Sequence, residues 1–570
     1  MLVIAHLVRA CKALLAASRM VSLPTMVGNS ATAEPRRGAR SAAGTCGQAI
    51  VGLLEQYGVD TVFGIPGVHT LEVYRGLSGS RIRHVLARHE QGAGFMADGY
   101  GRVRGEPGVC LVISGPGVTN VLTPVAQAYH DSRPLLVLSG AVSTADRGRD
   151  RGALHDLPDQ RALMAQVTAF SHTVASPAEL PSLFARAWDV FTCRRPRPVH
   201  IEVPVDVFAA DAPAVGRIES TCRPPGPSPE AVRAAADLLW KAARPAILLG
   251  GGAAQAGAEA VRLAERIGAP IGLTISAKGA VSSSHPLCLG ATLTFQPACD
   301  LISEADVLLA AGTQFSHSDW WETDGAPQPK GALIRADIDR SQLDNPFPAS
   351  IALAGDAAAT LDAITAALPR ENPQPDRTAR AVNRVQAITA SLRFPPEISD
   401  YKDFIDSLDA ALPDDRIVVG DSTQPVYAAN HLMAARQPRS WLMPIGYGTL
   451  GCALPMAVGA KLAAPSRPVV CLVGDGGVLF TLQELATAQD LHMPLPIIVW
   501  SNGGYGEIRD AMKRAGISPS ATEAQAHDLV QIASGFGCRA ERLTDLTGLG
   551  ALVCEALESR GPTLIEVLAC

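Results

Sequence analysis

The sequence predicts an α/β chain of three consecutive doubly wound domains with mainly parallel sheets. Three observations carry this prediction. From Gly44 onward, short apolar β-rich runs alternate with stretches whose apolar residues recur at helical spacing. Two aperiodic, proline-bearing breaks, Ala209–Ser228 and Pro369–Arg377, cut this alternation into thirds. The chain has 570 residues, more than one hydrophobic core supports, so three pieces of about 150–200 residues are the natural division.

In the first third, Gln48–Tyr57 reads as a helix and Thr61–Gly64 as a strand before the Pro66-Gly67 turn. Arg83–Leu86, Gly108–Ser114 and Pro134–Ser139 follow as strands, separated by helices over Ala93–Arg102 and Thr119–Tyr129. Strands of the middle third are Pro245–Gly250, Pro270–Thr274, Val307–Ala311 and Ala332–Asp337. The last third offers a strand at Arg416–Val419, a helix from Val426, a glycine-rich turn at Gly446–Gly451 and a helix to Leu462. A strand at Val469–Val473, a helix through Gln489 and a strand at Pro496–Trp500 complete it, on the same coarse plan as the first third. The expected domains are residues 45–210, 229–368 and 395–570. Residues 1–44 contain no acidic residue before Glu34 but carry Arg9, Lys12 and Arg19. They are expected to be a disordered extension or a presequence, outside the fold.

Composition narrows the function. Hydrophobic residues make up 47% and charged residues 18%, which excludes disorder and suits buried interfaces between subunits. A net charge of −6 without a basic stripe leaves no footprint for nucleic acid or an anionic membrane, so a small molecule is the expected partner. The twelve cysteines form no CxxC pair and none stands at zinc spacing with histidine. They read as reduced core residues of a cytoplasmic protein. No run approaches the roughly 18 apolar residues of a membrane span.

The chemistry is concentrated at two strand ends. Gly474-Asp475-Gly476-Gly477 follows the strand Val469–Val473, and Ser501-Asn502-Gly503-Gly504-Tyr505-Gly506 follows the strand Pro496–Trp500. Ligands bind at the carboxyl edge of an open α/β sheet. One strand–helix–strand unit returns Asp475 and Asn502 to that edge as two hard oxygen donors, which suits Mg²⁺ completed by carbonyl, water and phosphate oxygens. A helix cap at Asp475 or a turn at Asn502 accounts for either residue alone, but not for the pair at this spacing.

This pair resembles the signature of the thiamine-diphosphate-dependent enzymes, with Ser501 in place of the usual first asparagine. The resemblance implies that Asp475, Asn502 and the Gly504 carbonyl ligate Mg²⁺, with Gly474, Gly476, Gly477 and Tyr505 around the diphosphate. Pro444–Gly451 resembles the segment that bends the cofactor, implying Leu450 as an apolar wedge and the Gly448 carbonyl as an acceptor for the aminopyrimidine. Arg88–Arg102 resembles the segment whose glutamate, here Glu90, hydrogen-bonds the pyrimidine N1′ and promotes loss of the thiazolium C2 proton. The loops Phe63–Gly67 and Ser114–Asn120 fit the pyrimidine-binding domain, where Gly67 lets backbone approach the cofactor. By this resemblance the three domains are pyrimidine-binding, central and diphosphate-binding, and the active site joins two subunits of a homodimer or homotetramer.

From about residue 45 to 567 the pattern is similar to acetolactate synthase catalytic subunits. Gly67–Gly76 and Arg151–Arg161 look most like bacterial 5-guanidino-2-oxopentanoate decarboxylases of arginine catabolism. That implies non-oxidative decarboxylation of this 2-oxo acid to 4-guanidinobutanal and CO₂. His69 and His155 are candidates for proton transfer, and Asp156, Asp159 or Glu72 for pairing with the guanidinium. Gly250-Gly251-Gly252 resembles the region that holds FAD in acetolactate synthase, but FAD is not an expected cofactor. The alternatives are an acetolactate-synthase-like carboligase, a flavin-dependent pyruvate oxidase, and a catalytically dead regulatory relative. The simultaneous presence of Glu90, Asp475 and Asn502 speaks against the last.

Overall fold

The computed structural model describes residues 44–213, 215–320, 326–370, 376–523 and 527–569. The expectation for residues 1–44 therefore lies, apart from Gly44, outside the described residues, as does part of the second break.

Apart from a short antiparallel pair, Gly44–Thr45 with Asp211–Ala212, the strands pair in parallel and form three separate sheets. The first contains β1 (Thr61–Gly64), β2 (Arg83–Leu86), β3 (Gly108–Val112), β4 (Leu135–Ala141), β5 (Phe170–Thr173) and β6 (Val199–Pro204), in the order β2-β1-β3-β4-β6-β5. The second contains β7 (Pro245–Leu249), β8 (Ile271–Leu273), β9 (Val307–Ala311), β10 (Ala332–Asp337) and β11 (Ile351–Ala354), in the order β8-β7-β9-β10-β11. The third contains β12 (Ile417–Gly420), β13 (Trp441–Leu442), β14 (Val469–Gly474), β15 (Leu495–Ser501), β16 (Arg539–Leu543) and β17 (Pro562–Leu568), in the order β13-β12-β14-β15-β17-β16. Counted from its own first strand, the third sheet repeats the strand order of the first. Central strands such as β3, β4, β7 and β9 are buried along their whole length, which is why they read as continuous apolar runs rather than alternating ones.

The helical stretch expected to run through Gln489 is instead broken into Asp475–Val478 and Glu484–Asp490. The intervening Thr481 hydroxyl donates to the Gly451 carbonyl at 2.7 Å, tying this turn to the glycine-rich loop.

The first and third sheets share one hydrophobic core, which runs from Phe63 and Phe95 through Met456 to Val499 and Leu564. Its densest point is the crossing of the helices Glu90–Arg104 and Ala453–Ala463. A Cβ on Gly99 would sit 2.2 Å from the Met456 carbonyl oxygen, and one on Gly459 would sit 2.0 Å from that of Met96. Glycine at both positions is thus what lets the two backbones touch. Around the crossing, buried Arg102 bridges Asp98 and Asp131 at 2.8 Å each. Asp131 also accepts from the Gly446 N–H at 2.7 Å, carrying the ion-pair network from the first sheet's helices to the loop of the third.

The middle sheet has its own core. Gly251, Gly252, Gly312 and the ends of its strands line a cavity of about 330 Å³, which Arg133 closes from the first-sheet side. Asp319 lies in this wall with its carboxyl accepting from the Ile275 N–H at 3.1 Å. Burial raises that carboxyl from its ordinary value of 3.8 to about 7. The folded chain therefore holds this proton more tightly than the unfolded chain. The stability it contributes is complete below 3.8 and is lost as pH rises through about 7. Asp319→Asn, which cannot ionise, is predicted to raise the Tm relative to wild type at pH 8.5. The difference should narrow progressively as pH falls from about 7 towards 4; thermal unfolding across this range checks it, and a constant difference contradicts it.

Candidate active site

The carboxyl ends of three neighbouring strands, β12, β14 and β15, converge on one polar cluster. Because Gly474 pairs with Trp500 in the ladder, Asp475 and Asn502 leave adjacent strands almost in step. Asp475 Oδ1 accepts from the Gly476 N–H at 2.9 Å, and its Oδ2 accepts from the Gly503 and Gly504 N–H groups at 2.8 and 3.0 Å. These bonds require positive φ at Gly503 (78°) and Gly504 (136°), where side chains other than hydrogen are disfavoured. Asn502 lies between the two anchors. Its Nδ2 donates to Gln424 Oε1 at 3.2 Å, while its Oδ1 is buried without a partner among the described residues. Tyr505 packs its ring over Gly476, where a Cβ would come within 3.0 Å of it.

A carboxylate already fixed in position, beside a buried amide oxygen that no protein group satisfies, is the donor set a hard cation fills. The residues present therefore fit a Mg²⁺ ion, with Gly504 adjacent. Gly448 has φ 64° with open space where a Cβ would stand. Leu450 is half-buried next to it. Thr449 is held from the first-sheet side, where Gln127 Oε1 accepts from its N–H at 3.3 Å and its hydroxyl at 3.1 Å.

Asp421, at the end of β12, was not anticipated from sequence. Its carboxylate accepts from the Ser422 and Gly451 N–H groups, both at 2.7 Å, and so braces the Gly446–Gly451 turn. Burial pushes the carboxyl up to about 6. The rule that identified Asp475, a polar residue leaving a strand's carboxyl end, applies equally to Asp421. Gly420 precedes it as Gly474 precedes Asp475, and it lacks only the glycines that follow.

The second cluster belongs to the first sheet. Glu90 opens its helix, and its Oε2 accepts from Asn120 Nδ2 at 2.9 Å. Its Oε1 lies 3.6 Å from where a Gly117 Cβ would stand, so the Ser114–Asn120 loop lies directly beside the carboxylate. Gly67 closes on Ile113, whose Cδ1 would meet a Cβ there at 2.3 Å. His69 and His155 come together with ring centroids 5.3 Å apart. His69 Nδ1 is 2.5 Å from Ser114 Oγ, and burial followed by the neighbouring His155 holds its pKa below the ordinary value. His155 adopts φ 62°, and its Nδ1 is buried without a partner among the described residues.

Of the three carboxylates considered for a guanidinium, two are engaged by their own helices. Glu72 is paired in a fork with Arg75 at 2.9 and 3.0 Å, and Asp159 caps the helix Gln160–Ala165 by accepting from the Ala162 N–H at 2.8 Å. Asp156, half-buried beside His155, is the third.

Among the described residues, no hydrogen bond of Glu90 reaches the Asp475–Asn502 cluster. What joins the two is Glu484, a second residue missed from sequence. Its carboxylate accepts from the N–H groups of Arg88 (3.1 Å) and His89 (3.0 Å) and from the Thr487 hydroxyl (2.7 Å). The backbone immediately before Glu90 is thus held by an acid nine positions after Asp475. Burial raises the Glu484 carboxyl above its usual range.

Comparison with known proteins gives this geometry its context. The chain matches the family described as Thiamine pyrophosphate enzyme in three parts: the N-terminal TPP binding domain over residues 44–163, the central domain over 232–364 and the C-terminal TPP binding domain over 421–567. It is 48% identical to the "Probable 2-ketoarginine decarboxylase AruI" of Pseudomonas aeruginosa, over 92% of this chain and 94% of that protein. Identity to the acetolactate synthase isozyme 1 large subunit of Escherichia coli is 33%, over 92% and 93% of the two chains. A probable acetolactate synthase large subunit of Methanocaldococcus jannaschii is 32% identical over 91% of each.

Proposed function

Since the chain belongs to the thiamine pyrophosphate enzyme family, we propose that it decarboxylates 2-ketoarginine (5-guanidino-2-oxopentanoate) without oxidation, releasing CO₂ and 4-guanidinobutanal. The observation that carries the cofactor part of this reading is the buried, unpartnered Oδ1 of Asn502 beside the immobilised Asp475 carboxylate. The substrate part rests on the 48% identity to a relative bearing that activity in its name. In this reading Asp475, Asn502 and the Gly504 carbonyl hold Mg²⁺, Gly474, Gly476, Gly477 and Tyr505 surround the diphosphate, and Gly448 and Leu450 support the bent cofactor. Residues 45–210, 229–368 and 395–570 act as pyrimidine-binding, central and diphosphate-binding domains of a cytoplasmic enzyme. FAD has no part in it.

When bound, thiamine diphosphate supplies the electron sink for the bond to the departing carboxylate. The chain supplies position and protons. Glu90, oriented by Asn120, holds a proton at the pyrimidine nitrogen. His69, whose pKa burial and the neighbouring His155 lower, gives up a proton readily once it has taken one from solvent, and in this reading relays that proton to the product carbon. Asp156 pairs with the guanidinium.

A second copy of the chain completes the site. Large apolar side chains stand exposed around both half-sites: Val68 (60%), Leu71 and Leu154 (62%) beside the histidines, and Tyr447 (51%), Phe480 and Tyr505 beside the glycine turns. Such patches mark association surfaces. A homodimer, or a tetramer built from it, would bring the Glu90 of one subunit to the Asp475 cluster of the other. Among the described residues no helix is long and apolar enough to cross a membrane.

The relatives that are acetolactate synthases favour one second reading, carboligation, and the products separate the two. Given thiamine diphosphate and Mg²⁺, CO₂ release is expected to be at least tenfold faster with 2-ketoarginine than with pyruvate, with the aldehyde as the organic product. Acetolactate from pyruvate at the higher rate would overturn the assignment. Glu90→Gln is expected to keep the cofactor bound while lowering CO₂ release by about 10²–10⁴-fold, the range for a lost acid–base group. Asp475→Ala is expected to lose the cofactor on gel filtration. Cofactor content and single-turnover CO₂ assays check both, and normal turnover by either variant contradicts the residue roles.

A further inference from the structure

The segment leading from the first sheet to the middle one forms no helix or strand among its described residues between Ala212 and Ser228, the N-cap of the helix Pro229–Lys241. Even so, a ladder of polar contacts lays it along the first domain. Gln56 Nε2 donates to the Val215 carbonyl at 3.1 Å and the Arg217 N–H donates to Gln56 Oε1 at 2.8 Å. The Tyr57 hydroxyl donates to the Ile218 carbonyl at 3.3 Å, with the Arg217 guanidinium 4.9 Å above its ring. Next, the Ser220 hydroxyl donates to Asp189, and the Cys222 N–H donates to Ser220 Oγ at 3.0 Å.

The ladder ends on a cluster that the proposed reaction does not use. Asp189 and Cys193 lie one turn apart on the helix Leu180–Cys193, so their side chains share a face. Cys222 meets them from the linker. A carboxylate oxygen of Asp189 and the sulfurs of Cys193 and Cys222 all lie within 4.8 Å of one another. Cys193 is buried, while Asp189 and Cys222 are half-buried. The sequence alone read these cysteines as core residues, because their approach exists only in three dimensions.

Deprotonated, two thiolates and a carboxylate at this separation would repel one another without a cation between them, so ionisation of this cluster is coupled to cation binding. Sulfur donors select a thiophilic ion over Mg²⁺ or Ca²⁺. In tetrahedral zinc sites the metal–sulfur distance of about 2.3 Å puts two sulfurs roughly 3.8 Å apart, within the spread seen here. A small cavity lined by Asp189, Arg186, Arg194 and Arg195 adjoins the cluster on its carboxylate side. Arg194, next to Cys193 in sequence, offsets the excess negative charge. We propose that Asp189, Cys193 and Cys222 bind one thiophilic divalent cation of the zinc class, which fastens the interdomain linker to the first domain. Binding exchanges the two thiol protons, released to solvent, for two metal–sulfur bonds. A disulfide between the same sulfurs would need an external oxidant and leave Asp189 without a role.

The test uses the full chain saturated with thiamine diphosphate and Mg²⁺ under a non-thiol reductant, cleared of transition metal and titrated with Co²⁺. Wild type should bind one equivalent with a near-ultraviolet thiolate-to-cobalt absorption band that Zn²⁺ displaces. Oxygen-ligated Co²⁺ at a Mg²⁺ site gives no such band. Cys222→Ser, which alters only the linker and should keep full CO₂ release, is expected to abolish the band, and Asp189→Asn to weaken Co²⁺ binding at least tenfold. A wild-type titration without the sulfur band, or an equal band in Cys222→Ser, overturns the proposal. So does a Cys193–Cys222 disulfide forming in the presence of Zn²⁺ once reductant is removed, as read by alkylation and mass spectrometry.

Discussion

The Asp475 carboxylate accepts three backbone N–H groups, one from its own turn and two from the turn after β15. These bonds stitch two strand ends together and hold Asn502 between them, with an amide oxygen that has no partner among the described residues. A buried acceptor left in this state costs about 1–3 kcal/mol. The fold carries that cost where a cation and a diphosphate would relieve it, so strain in the free chain becomes affinity for a ligand. The glycines around the pair follow from the same requirement, because backbone rather than side chain must surround the carboxylate.

Other features of the molecule place a second carboxylate, that of Glu90, relative to this anchor. The first and third sheets repeat one strand order and share a core. They are held in register where Gly99 and Gly459 let two helices touch. Glu484 then fixes the backbone that precedes Glu90, and the network of Arg102, Asp131 and Gln127 fixes the glycine turn opposite. Together these contacts tie the first domain to the third, and so hold the two half-sites of one chain in a fixed relation. The linker cluster at Asp189 would extend the same restraint towards the middle sheet.

What the sequence revealed and what it concealed divide along physical lines. Buried parallel strands such as Val307–Ala311 were legible to the residue, because their apolar runs are continuous and bounded by turns. The edge strand Phe170–Thr173, half-buried and carrying a serine, a histidine and a threonine, has no such signature. Asp475 and Asn502 were legible because a single strand–helix–strand unit relates them. Glu484 was not, since in sequence it is an ordinary first-turn helix acid and the groups it binds lie almost four hundred residues away. The local partners of Glu72 and Asp159, each three residues further along, follow from helical spacing and could have been foreseen. The meeting of Cys193 and Cys222 could not, because an aperiodic linker brings it about.

The central claim is that Asn502 Oδ1 and Asp475 are incomplete without a divalent ion, and that this ion is what retains the diphosphate. It is tested most directly by titrating metal-free protein with thiamine diphosphate in a calorimeter, with and without saturating Mg²⁺, for wild type and Asn502→Leu. The account predicts that Mg²⁺ tightens wild-type binding at least a hundredfold and that the variant loses most of that gain. Equal affinity with and without the ion, or an undiminished gain in the variant, would contradict it.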